Sequence, residues 1–260
     1  MIFDTHCHYG NDSFSEDRRE LLSGLRDKGI GFVVEVGADM SSSRFALELS
    51  KEVDFVYAAL GVHPSEVGNL AESDMDWIQT HADEEKVVAI GEIGLDYHTQ
   101  DVKPDVQKKW FRRQIHLAKE TGLPIIIHSR DAAADTMEII RGEKAYDCGG
   151  VIHCYSYSPE MAKEYTEMGF YIGVGGVVTF KNAKKLKQTV ETIPLERIVL
   201  ETDCPYLAPE PHRGSRNDSG NLMYVADAIA ELKNITAKEV ICTTTENAFK
   251  MYRKGSPWRS

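Results

Sequence analysis

Two histidines separated by a single residue, His6 and His8, stand in the first eight positions, on an opening run Met1-Ile2-Phe3-Asp4-Thr5-His6-Cys7-His8 that reads as a strand. Side chains on a strand alternate between faces, so His6 and His8 point one way, Thr5 and Cys7 the other, and both imidazoles can reach one ion. Asp4 lies on the histidine face one layer deeper, where it could accept the second ring N–H of a ligating histidine and fix its tautomer. A His-x-His pair alone equally describes a surface strand with polar residues, so the rest of the chain has to decide.

The pattern recurs. His63, Glu92, His128, His153 and Asp203 each stand where an apolar run ends, in Gly61-Val62-His63-Pro64, Gly91-Glu92-Ile93-Gly94-Leu95-Asp96-Tyr97, His128-Ser129-Arg130, His153-Cys154-Tyr155-Ser156 and Glu201-Thr202-Asp203-Cys204-Pro205. One strand-end histidine is more often a hydrogen-bonded structural residue than a ligand. Recurrence at successive strand ends is what points to metal chemistry. Mixed imidazole and carboxylate donors suit zinc, manganese or a related ion, whereas magnesium prefers oxygen-rich sites and keeps several waters.

The elements that must position these residues alternate. After the first strand, a helix is expected from Ser15 to Lys28, stopped by Gly29, and then a buried strand over 31–36. Helix 41–52, strand 55–60, helix 74–82 and strand 86–90 follow. A long amphipathic helix over Pro104 to Thr121 begins with proline in its first turn and is stopped by Gly122. Strand 124–127, a helix capped by Asp131 and running to Arg141, strand 150–152, helix 159–168, strand 170–174, helix 183–192 and strand 198–200 come next, with helices 222–232 and 237–252 closing the chain. Eight β–α units with near-continuous apolar strands in 260 residues predict a single (β/α)8 TIM barrel spanning 1–260, with a doubly wound open sheet as the alternative. The polar residues favour the barrel, because only a closed barrel brings the carboxyl ends of all its strands to one mouth.

Composition bounds the rest. No linker-like stretch or repeat interrupts the alternation, no basic-then-apolar leader opens the chain, and no apolar run approaches spanning length, so the expectation is a soluble cytoplasmic protein without a membrane partner. The five cysteines, Cys7, Cys148, Cys154, Cys204 and Cys242, are odd in number, widely spaced and without a Cys-x-x-Cys, which fits reduced thiols. A formal charge of −11 argues against a broad basic face for duplex nucleic acid, although bound divalent cations reverse the local sign in a carboxylate-lined pocket.

Asp-Thr-His-Cys-His at 4–8, Gly-Val-His-Pro at 61–64, Gly-Glu-Ile-Gly-Leu-Asp-Tyr at 91–97, His-Ser-Arg at 128–130, His-Cys-Tyr-Ser at 153–156 and Glu-Thr-Asp-Cys-Pro-Tyr-Leu at 201–207 resemble, in order and spacing, the successive motifs of TatD-type metal-dependent deoxyribonucleases, within the wider amidohydrolase-like metal barrels. The resemblance covers almost the whole chain. It implies two divalent ions (Mg²⁺, Mn²⁺ or Zn²⁺), one held by His6, His8 and Asp203, the second by His128 and His153, with Glu92 bridging them. A carboxylate can span ions about 3.5–4 Å apart. It further implies phosphodiester hydrolysis, in which Asp203 accepts the proton of the attacking water and Glu201 either supports it as a base or forms a salt bridge in the barrel mouth. With both ions already supplied, His63 is assigned to the scissile phosphate or the water. Arg130 and Arg213 are candidate phosphate contacts as guanidinium forks, and Tyr155 and Tyr206 could stack on a base or serve as packed walls.

The leading expectation is a 3′–5′ exonuclease on single-stranded or frayed DNA ends, because a barrel mouth admits a chain end more easily than a continuous duplex. A binuclear hydrolytic site polarises carbonyl and phosphoryl oxygens alike, so an esterase or amidase acting on a small molecule or an aminoacyl-tRNA is the alternative. A metal-binding scaffold without turnover is a third. Nothing in the sequence specifies a subunit interface, and a monomer is expected.

Overall fold

Short runs of branched apolar residues become strands and the amphipathic segments between them become helices, as their periodicities require. In the computed structural model, which describes residues 1–252, the strands are β1 (Ile2–Cys7), β2 (Ile30–Val36), β3 (Val56–Leu60), β4 (Val87–Asp96), β5 (Ile125–Arg130), β6 (Gly150–Ile152), β7 (Tyr171–Val174) and β8 (Ile198–Leu200). They form one sheet in sequence order from β1 to β8. The end of β1 also meets the chain just after β8: Cys7 and Cys204 form a parallel bridge, and the His8 N–H donates to the Cys204 carbonyl at 2.9 Å. The sheet therefore curls into a (β/α)8 barrel instead of remaining open.

The helices are α1 (Arg18–Gly24), α2 (Met40–Glu52), α3 (Glu72–His81), α4 (Pro104–Thr121), α5 (Ala133–Gly142), α6 (Pro159–Glu167), α7 (Lys184–Thr192), α8 (Leu222–Lys233) and α9 (Ala237–Met251). Among the described residues no helix is long and apolar enough to cross a membrane. Of the described residues, 1–35 with 154–250 form one compact unit, and 36–153 with 251–252 form the other. In the first, Phe249 packs edge to face on Phe3 and Phe32, which are tilted against each other, with ring centroids 5.0–5.5 Å apart, and Ile172, Ile198 and Ile229 are buried in the core. In the second, α4 packs on β4, and Trp110, Phe111 and Ile115 of the helix are buried together with Val88, Ile90, Ile125 and Ile127 of the strands.

The expected helix 15–28 is broken. A 3-10 turn at Asp12–Phe14, capped by Asn11, precedes α1, and Ser15 donates back to the Asp12 carbonyl instead of capping forward. The two halves are separated where Asp17 is engaged by Arg216 through two hydrogen bonds at 2.8 and 2.5 Å. Asp131 does not cap α5 either: it sits at φ 54° and its carboxylate contacts His98 Nδ1 at 3.0 Å, leaving Ala132 in the cap position. The most consequential difference is in β4, expected to stop at residue 90, which runs fully buried through the motif to Asp96. Gly94 permits this, since at φ 146° a Cβ there would lie 1.9 Å from the His128 carbonyl oxygen of β5. The register pairs Gly94 with His128 and Asp96 with Arg130.

Candidate metal centre

In the first unit, strand alternation delivers His6 and His8 as expected. Their Nε2 atoms lie 3.0 Å apart, and Asp203 Oδ1 lies 3.5 Å from His8 Nε2 and 3.9 Å from His6 Nε2. Donors about 2.1 Å from a common tetrahedral ion stand about 3.4 Å apart, so these three atoms fit a single divalent cation. His6 is buried, whereas His8 and Asp203 are partly exposed, which leaves an approach from solvent.

The backbones under these candidate donors are held by buried carboxylates. Asp4 accepts from Thr202 Oγ1 at 2.7 Å, Ser219 Oγ at 2.6 Å, the Thr202 N–H at 3.0 Å and the His6 N–H at 3.2 Å. Burial pushes its carboxyl up to about 7, and these donors hold it from going higher. The expected contact between Asp4 and a histidine ring is not made. The carboxylate is consumed in tying the end of β1 to the segment after β8. Glu35 of β2 does the corresponding work at the turn after β1: its two oxygens accept the Tyr9 and Gly10 N–H groups, each at 2.7 Å, and burial lifts its carboxyl to about 7.

Asp203 lies beyond β8 at φ 58°, a left-handed conformation that Asp tolerates better than most residues. Glu201 too lies past the end of β8. Glu201 is buried and accepts the Cys154 N–H at 2.6 Å, with its carboxylate over Gly173, where a Cβ would come within 2.2 Å of Oε2.

In the second unit Glu92 Oε1 is the hub. His128 Nδ1 is 2.8 Å away, His153 Nε2 3.8 Å and His63 Nε2 4.0 Å. His63, expected outside the ligand set, stands among these donors: its ring centroid is 4.3 Å from that of His128, and its Nδ1 is 2.8 Å from Ser65 Oγ. His128 is engaged on both sides, since its Nε2 lies 3.1 Å from Asp96 Oδ2. Burial pulls its basicity down, but the hydrogen bonds to Asp96 and Glu92 outweigh it and lift the imidazole to about 9. Asp96, although buried, is held well below the usual carboxylate range by His128 and by the N–H groups of Thr99 and His98. A cluster of imidazoles about a buried carboxylate is the donor chemistry of a divalent cation site.

The candidate substrate residues divide. Arg130 and Arg213 are exposed, and the Arg213 guanidinium lies 4.3 Å above the Phe180 ring. Tyr206 is 55% exposed, with its hydroxyl accepting from Asn11 Nδ2 at 3.1 Å. Tyr155 is 2% exposed, donates its hydroxyl to the Ser158 carbonyl and packs on Tyr157 and Tyr165, so it is a packed wall and not a stacking platform. Glu35 and Asp96 are the residues that sequence reasoning passed over. The signals were present in a charge inside the apolar run 31–36 and in the last acid of the Gly-Glu-Ile-Gly-Leu-Asp-Tyr motif.

Against known proteins, the family described as TatD related DNase matches residues 3–253. The metal-dependent hydrolase YabD of Bacillus subtilis is 47% identical over 253 residues, 97% of this chain and 99% of that one. YcfH of Escherichia coli K12, also a metal-dependent hydrolase, is 36% identical over 255 residues, 97% of this chain and 96% of its own. The crystal structure of the TatD homolog YjjV from Escherichia coli K12 superimposes with a TM-score of 0.90 at 29% identity, over 97% of this chain and 98% of that one.

Proposed function

The chain belongs to the TatD-related family of metal-dependent hydrolases, and on that premise we propose that it hydrolyses phosphodiester bonds of DNA, trimming single-stranded or frayed 3′ ends as a cytoplasmic monomer. The observation that carries the reading is the convergence of His6 Nε2, His8 Nε2 and Asp203 Oδ1 within 3.9 Å of one another in a partly open site. Each donor set would hold one divalent ion, Mg²⁺, Mn²⁺ or Zn²⁺, with Glu92 the carboxylate of the second set. Such ions, when bound, acidify water and draw charge from phosphoryl oxygens.

The chain's own groups do the remaining work. Asp203 accepts the proton of the attacking water, whose oxygen bonds to phosphorus as the P–O3′ bond breaks. His63 contacts the phosphate or the water, with its Nδ1 side anchored at Ser65. Glu201, fixed by the Cys154 N–H and the absent side chain of Gly173, backs Asp203 from a buried position. Exposed Arg130 and Arg213 pair with phosphates, and Tyr206 offers a base-stacking face.

The test is hydrolysis of end-labelled single-stranded and duplex DNA by metal-stripped protein after return of Mg²⁺, Mn²⁺ or Zn²⁺. Laddering from the 3′ end that requires metal, Glu92 and Asp203 is the expected result. Absence of cleavage by protein carrying two ions would move the substrate to an ester or amide, and absence of turnover on any of these would leave a metal-binding scaffold.

A further inference from the structure

Asp96 is a buried acid with every part of its polar surface committed. Its backbone N–H donates to Gln107 Oε1 at 2.8 Å and its carbonyl accepts from Gln107 Nε2 at 2.8 Å, which locks the end of β4 to α4. Oδ1 accepts the N–H groups of His98 at 2.8 Å and Thr99 at 3.1 Å. Oδ2 is left for one contact, His128 Nε2 at 3.1 Å, while the opposite ring nitrogen, Nδ1, faces Glu92 Oε1 at 2.8 Å.

From this geometry we infer that Asp96 is the positioning residue of the second ion: it keeps a proton on His128 Nε2 and so presents Nδ1 as the ligand atom beside Glu92. The inference rests on the reading that the Glu92 donor set holds an ion. A carboxylate can only accept, so an imidazole hydrogen-bonded to Asp96 through Nε2 must carry a proton there. Asp96 has only this one role toward the ring, whereas Glu92 itself supplies a donor atom of the set, so an ion entering beside Glu92 takes the place of the Nδ1 proton and finds its lone pair on Nδ1. The two backbone N–H groups on Oδ1 matter as much as the histidine. They fix which oxygen faces inward, and they make the isosteric amide a sharp probe. In Asp96→Asn the amide oxygen is selected by those N–H groups, so the NH₂ faces His128 Nε2 as a donor and drives the proton to Nδ1, the atom the ion needs.

The experiment is zinc titration of the full chain against a chromophoric chelator, for wild type, Asp96→Asn, Asp96→Ala and Glu92→Ala, with melting temperature and histidine ¹⁵N spectra on the same samples. The expected result is that the wild type takes two zinc ions with His128 protonated on Nε2. Asp96→Asn should keep the ion of His6, His8 and Asp203, which reports that the fold is intact, and lose roughly 10–100-fold in affinity for the second. Asp96→Ala, which removes the hold on the ring without imposing the opposite tautomer, should lose no more than Asp96→Asn. Two ions bound by Asp96→Asn with wild-type affinity would overturn the inference while leaving the second ion intact. A wild-type zinc protein with His128 protonated on Nδ1 would overturn it even if the variants fail to fold. A single ion in both wild type and Glu92→Ala would sink the second-ion reading and this inference with it.

Discussion

The two donor sets are supported in opposite ways. Around His6, His8 and Asp203 the buried carboxylates grip backbone and hydroxyl groups: Glu35 holds two N–H groups, and Asp4 holds Thr202, Ser219 and the His6 amide. Around Glu92 and His128 a carboxylate grips the candidate donor ring itself. The first set is therefore aimed by chain path and the second by a side-chain pair. Where the strand period already points two histidines at one spot, only the backbone needs fixing. Where a single histidine per strand must be turned correctly, its ring needs a partner.

Substitutions should separate the two designs. The largest effect is expected from Glu92→Ala, which removes the hub of the second set: kcat/KM should fall by roughly 10³ or more, since mutations of groups acting as a unit show their full cost singly. Asp203→Ala should match it. Glu35→Ala should act on the first set through stability, because the Tyr9 and Gly10 N–H groups lose their acceptors in the interior. A loss of about 2–4 kcal/mol in denaturant unfolding is expected, with weakened zinc binding at His6 and His8 and an unaltered second site. Equal damage to both sites would break the comparison.

The pH dependence of the metal-free protein should differ by set. His128, lifted from 6.5 to about 9, stabilises the fold fully below 6.5, and that contribution is lost as pH rises toward 9. Asp4 and Glu35, lifted from 3.8 and 4.5 to about 7, bind protons in the fold that the unfolded chain has released, so their stabilising influence is lost earlier, between about pH 4 and 7. Melting temperatures should therefore fall across both windows, each by on the order of a few kcal/mol in stability. Asp96→Asn should flatten only the upper window, and Glu35→Gln only the lower. The smallest effect is expected from Arg213→Ala, an exposed guanidinium resting on Phe180. DNA hydrolysis assayed at rising salt should show a KM raised a few-fold with kcat unchanged, since loss of a phosphate contact removes binding common to ground and transition states.

Much of this was legible in the sequence. The His6-x-His8 pair followed from the two-residue period of a strand, and α4 begins at Pro104 and ends before Gly122, which takes φ 70°, because those residues are chemically suited to those positions. The placement of His153 just past β6 and of Asp203 beyond β8 followed from where apolar runs stop, whereas Glu92 and His128 lie inside β4 and β5, which run on past their apolar stretches. What only the tertiary structure decided is which carboxylate meets which partner. Asp4 stands two residues from His6 in sequence and Asp96 stands 32 from His128, yet Asp4 is consumed by Thr202 and Ser219 at the far end of the chain, and Asp96 reaches a ring on the neighbouring strand only because Gly94 lets β4 run on beside β5. Periodicity governs the face on which a side chain emerges. A hydrogen bond depends on a distance of about 3 Å between strands or loops, and that distance exists only once the chain has folded.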